Sequence, residues 1–179
     1  MALTGAVDVW STIALEAEAE SGLWRDALRP EDEREAAPVF SQLGEERFAL
    51  GLETIYEGYL AHYGRPRLFA PADADTSLLL GDYLYAHGLV RIADVGTVGA
   101  VRDLAELISV CAQLRAEDAD GDADAWAATA ALLGHGALDD ARAALRDDAD
   151  PEPLAALARG AAGDAAVEQA RAAHDLRVR

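Results

Sequence analysis

Glu53 and Glu57 stand four residues apart in a stretch of helical apolar periodicity, so both carboxylates fall on one helix face. Hard oxygen donors in that arrangement suit a divalent cation such as Mg2+, and a site with so few of them holds it weakly. The same pair also reads as solvated or hydrogen-bonded surface charge. The alternating Asp118, Asp120, Asp122 and Asp124 invite comparison with a calcium loop, but an EF-hand starting at Asp118 needs Gly and Glu where the chain has Ala123 and Thr129. That acidic stretch is expected to be a solvated loop. Asp139-Asp140 and Asp147-Asp148-Ala149-Asp150 lie beside turn residues and read as surface charge and helix-end capping. His62, His87, His135 and His174 show no paired metal spacing, and with Cys111 as the single cysteine no zinc set can be assembled. Cys111 sits in an apolar run and reads as a buried, inert thiol. No nucleophile elbow, Walker loop or dinucleotide fingerprint is present. Tyr56, Tyr59, Tyr63, Tyr83 and Tyr85 offer either the lining of a pocket for an apolar chain or inter-helix packing with hydroxyls reaching water.

The elements that must position these groups are all helical. Val9, Ile13, Ala14 and Ala17 mark a first helix that Gly22 can stop, and Arg29-Pro30 leads into a short acidic helix. A long helix is expected from Ser41, through Phe48, Leu52, Ile55, Tyr59 and Leu60, to the Gly64-Arg65-Pro66 break. Thr76 can cap a third running to about Ala93, and residues 97–117 form a fourth. Short Ala-rich helices follow at 125–133, 138–145, 154–161 and 165–176. The segments 43–63 and 76–93 should pack antiparallel, with Gly51 and Gly81 letting their backbones approach.

Composition bounds the rest. A chain of 179 residues with 51% hydrophobic residues can build one core, and its wealth of alanine with only 6% aromatics predicts closely approaching helices. The expected organisation is a single helical domain over 1–179. Its net charge is −18, carried against fifteen arginines and no lysine, which argues against nucleic acid as a partner. No apolar run approaches the length of a membrane span and no basic flank precedes the first apolar stretch, so a cytoplasmic location without membrane insertion is expected.

The segment from Leu52 to Ala93 resembles the trans-isoprenyl diphosphate synthases, also called polyprenyl synthetases. Their Asp-rich motif, Arg-Arg-Gly-Arg-Pro-like turn and Gly-Asp-Tyr/Phe-Leu helix are matched in register by Glu53-Thr54-Ile55-Tyr56-Glu57, Gly64-Arg65-Pro66 and Gly81-Asp82-Tyr83-Leu84. A weaker match continues through 104–114 to Ala128-Thr129-Ala130. The resemblance implies an all-α helix bundle like a shortened isoprenoid synthase fold, with a synthase-like core over about 7–133 and an Ala-rich part over about 137–177. It also implies metal-binding places at Glu53 and Glu57 and substrate-binding places at Tyr56, Arg65, Asp82 and Tyr83.

The departures point away from catalysis. The family's second carboxylate is Thr54 here, its arginine pair is His62-Tyr63, and its helix lysine is Ala128. A departing diphosphate must be neutralised by metal ions and cationic side chains. Arg65, Arg67 and Arg91, the basic residues near the matched helices, read as surface partners of neighbouring carboxylates. The expectation is therefore a non-catalytic, isoprenoid-synthase-like protein without cofactor that binds or regulates a full-length polyprenyl diphosphate synthase or pairs as a homodimer. The alternatives are a divergent Mg2+-dependent enzyme of isoprenoid metabolism and an unrelated acidic helical interaction protein.

Overall fold

The computed structural model describes residues 8–178. Among these described residues nine α-helices follow one another: α1 (Val9–Glu20), α2 (Gly22–Ala27), α3 (Ala49–Tyr63), α4 (Ala74–Val95), α5 (Val98–Ala116), α6 (Asp122–Ala131), α7 (Asp139–Asp148), α8 (Glu152–Ala162) and α9 (Asp164–Val178). No strand occurs among the described residues; the one extended contact is an isolated antiparallel bridge between Leu28 and Phe69. The architecture is an all-α bundle.

α3 is the axis. Every residue from Gly51 to Ala61 is buried, including Leu52, Ile55 and Leu60, so the helix is enclosed on all sides rather than striped. Burying each of those aliphatic side chains contributes about 1.5–3 kcal/mol relative to exposure. α4 runs antiparallel against α3, as the sequence leads one to expect. Gly58 faces Gly81 and Gly51 faces Gly88, and a Cβ at Gly58 would stand 2.9 Å from the Gly81 carbonyl oxygen. α6, with Ala123–Ala130 buried throughout, forms a second enclosed helix, and α5, α8 and α9 pack around it. A smaller cluster, which includes Ile13, Trp24, Leu68, Phe69 and Leu80, joins α1, α2 and the α3–α4 connection to the α3–α4 pair.

Several boundaries differ from the sequence reading. α1 stops at Glu20 because the Ser21 hydroxyl accepts the Trp24 amide at 3.2 Å and opens α2, so Gly22 begins a helix instead of ending one. The expected long helix from Ser41 is two 3-10 turns, Ser41–Leu43 and Glu46–Phe48, before α3. Between them Gly44 lies against α6 so closely that a Cβ would come within 2.1 Å of the Ala130 carbonyl oxygen, and the chain bends there. Asp73, not Thr76, caps α4, accepting the Thr76 amide at 2.7 Å. Asp122 and Asp124, expected in a solvated loop, lie in the first turn of α6, where Gly121 at φ 120° turns the chain inward.

Candidate functional site

Spacing along α3 places Glu53 and Glu57 on one face, and the connection after α3 brings Arg67 back onto them. Gly64 makes that return possible by passing close to α9: the Arg65 amide donates to the Arg177 carbonyl at 2.9 Å, and a Cβ at Gly64 would be 2.6 Å from that same oxygen. The Arg67 guanidinium then donates through Nη1 to Glu53 Oε2 at 2.7 Å and through Nε to Glu57 Oε2 at 3.0 Å. Nη1 also donates to the Ala37 carbonyl at 2.9 Å, and Nη2 to the Glu53 carbonyl at 3.4 Å. The other carboxylate oxygens accept backbone amides: Glu57 Oε1 from Leu68 at 2.7 Å, and Glu53 Oε1 from Val39 at 3.3 Å and Ser41 at 3.4 Å.

None of the three side chains is more than 2% exposed. The Trp10 and Tyr56 rings lie 4.6 and 5.0 Å from the guanidinium carbon and add cation–π attraction. Burial alone would lower the Arg67 pKa, but the charges of Glu53 and Glu57 outweigh it and hold it above its ordinary value. The Glu pair is thus neither solvated nor open, and Arg67 is no surface partner but the centre of a buried charge cluster. Mg2+ does not fit this donor set. A cation would have to displace a guanidinium, and no group of three or more His, Cys, Asp or Glu side chains able to hold a metal occurs among the described residues.

Tyr56 connects this cluster to a second one. Its hydroxyl meets His174 Nδ1 at 3.0 Å, and His174 Nε2 meets Asp122 Oδ2 at 3.2 Å. Asp122 Oδ2 also accepts the Tyr59 hydroxyl and pairs with Arg115, whose Nε and Nη2 donate to the Tyr59 oxygen at 3.0 and 2.7 Å. Burial works to raise the Asp122 pKa, yet the hydrogen bonds from His174 and Tyr59 and the charges of His174 and Arg115 reverse this and hold it well below the usual carboxylate range. Burial pushes the Tyr56 and Tyr59 hydroxyls up, which leaves them protonated donors. Five side chains from α3, α5, α6 and α9 are thereby locked together.

The remaining sequence-derived candidates are dispersed. Tyr56 is engaged by both clusters and fills the interior. Arg65 is exposed, 3.5 Å from Glu35. Asp82 is exposed, 3.3 Å from the largely buried His62 ring, whose pKa burial lowers despite that carboxylate. Tyr83 lies tilted against Trp24 at 5.2 Å and against His87 at 4.3 Å, within the smaller cluster's surroundings. Tyr59 does not reach water with its hydroxyl, whereas Asp139 and Asp140 do stand in the first turn of α7, with Asp139 paired to Arg102 at 3.0 Å. Cys111 is buried, and burial pushes its thiol pKa up. Arg91 is mostly covered, held by Thr54 and Glu16. By sequence Asp122 is weighed only for calcium and His174 only for zinc, and Arg115 is not singled out; each lies in a separate helix, and only the fold brings them together.

No family model, curated protein or solved structure matches the chain. No helix among the described residues is long and apolar enough to cross a membrane.

Proposed function

We propose that this chain is a non-catalytic helical binding protein of isoprenoid-synthase-like build, which acts by associating with a full-length polyprenyl diphosphate synthase. The observation that carries this reading is the placement of Arg67 between Glu53 and Glu57. In the family that the Leu52–Ala93 segment resembles, carboxylates on this helix face bring metal ions to a diphosphate. Here the carboxylates face inward, each oxygen accepts a hydrogen bond from within the chain, and the charge they carry is matched inside the protein itself. Tyr56, one residue from Glu57, fills the space between α3 and α9 with its hydroxyl committed to His174. A site closed on itself in this way suits a protein that uses the bundle as a scaffold for contacts.

The test is affinity capture of the tagged chain from its native host, followed by mass spectrometry. A complete prenyl diphosphate synthase recovered in near-stoichiometric amount is the expected result. Recovery of the chain alone, with the host's synthase present in the lysate and absent from the eluate, contradicts it.

A further inference from the structure

α8 turns an uncovered apolar side to solvent. Together with the α6–α7 connection it forms an open groove of about 530 Å³ lined by Leu132, Ala137, Pro153, Ala156, Leu157 and Gly160. Gly160 is the telling residue. It lies inside the helix, where glycine weakens helix formation, and a Cβ there would meet nothing within 4 Å. Gly51, Gly58, Gly81 and Gly88, by contrast, each have a neighbour closer than 3.0 Å to such a Cβ, so the α3–α4 packing requires them. Nothing within the chain requires Gly160. Its absent side chain keeps the floor of the groove low, as the close approach of another helix would demand.

The flanks say which helix. Asp147 and Asp148 precede α8 and Asp164 follows it, and none of the three makes an ion pair among the described residues. Arg159, the basic residue of α8, is held by Glu152. The groove is therefore lined by apolar residues, and the helix that forms it is flanked along the chain by unpaired carboxylates before its first turn and after its last. A second copy of this chain, at net charge −18, would bring the same unpaired acids against them.

We propose that this groove docks an amphipathic helix of a protein partner, with an apolar stripe on α8 and Lys or Arg side chains toward Asp147, Asp148 and Asp164. The proposal rests on the partner-binding reading above and assigns it a surface.

The probe is a synthetic helical peptide with a leucine stripe and lysine flanks, titrated against the full chain by fluorescence anisotropy at physiological salt. Ala156→Arg fills the groove from an exposed helix position, and Gly160→Arg is the second blocking variant. Val90→Arg, at a residue 61% exposed on α4, which packs on α3 and α5, carries the same charge change elsewhere. Circular dichroism establishes that all three fold. The expected result is a Kd raised about tenfold or more by either groove variant and left nearly unchanged by Val90→Arg. Equal weakening by all three variants would mean that only net charge attracts the peptide and would overturn the proposal. So would equal affinity for a peptide with glutamate flanks, or a dimer in sedimentation that Ala156→Arg dissolves. A synthase captured equally well by wild type and Ala156→Arg overturns the groove and leaves the functional reading standing. Peptide binding lost in the groove variants without any synthase captured supports the groove and removes the synthase as its occupant.

Discussion

Arg67 Nη1 lies 2.7 Å from Glu53 Oε2, and neither side chain is more than 2% exposed. A pair so buried contributes little beyond what apolar residues would provide, but breaking it leaves an uncompensated charge in the interior. Arg67→Met is therefore expected to destabilise the chain by about 3–5 kcal/mol, because Glu53 and Glu57 lose their common counterion. Urea denaturation measures it. Replacing all three with apolar residues of similar volume should recover most of the loss; a cost below about 1 kcal/mol for Arg67→Met would place the cluster in solvent instead.

Asp122 gives the stability an acid limb. Its folded pKa is depressed, so its contribution is fully present above the ordinary carboxylate pKa of about 4 and is lost as pH falls through the lower folded value. Asp122→Asn should cost about 1–3 kcal/mol at neutral pH and flatten the decline below about pH 4. Thermal unfolding across that range checks both; an unchanged acid limb would show that other carboxylates set it.

The two kinds of helical glycine should respond oppositely. Gly160→Ala is expected to stabilise by about 0.5–1 kcal/mol, since the helix gains propensity and the new methyl group meets open space. Gly58→Ala is expected to destabilise by about 1–3 kcal/mol, since its Cβ would crowd the Gly81 carbonyl across the α3–α4 contact. Matched denaturation curves decide, and a loss of stability in Gly160→Ala would show that α8 needs the glycine for its own packing.

Mg2+ should bind no tighter than the millimolar range, and Glu53→Ala should not change its affinity. Calorimetry on the purified chain measures this. Micromolar affinity abolished by Glu53→Ala would mean that the carboxylates leave Arg67 for the metal.

The helices were legible because apolar periodicity, Gly and Pro breaks and N-caps act locally. The antiparallel α3–α4 pair was legible because a short connection and facing glycines leave few other arrangements. Glu53 and Glu57 were visible as a pair from their spacing, but their burial was not. That depends on Arg67 folding back across the chain reversal at Gly64-Arg65-Pro66, a long-range event with no periodic signature. Gly44 misled for the same reason: its contact is with the Ala130 carbonyl, far along the chain, and helical periodicity runs through it. His174, Asp122, Tyr59 and Arg115 come from four helices, and no spacing announces a cluster assembled by packing alone.

The most direct test of the account is an assay for prenyl chain elongation. The purified chain is incubated with farnesyl diphosphate, isopentenyl diphosphate and Mg2+, alone and together with the complete synthase of its host. The account expects no product from the isolated chain, because Arg67 holds the carboxylates that would carry the metal, and an altered product length or rate in the mixture. Product formed by the isolated chain and abolished by Glu57→Gln would contradict it.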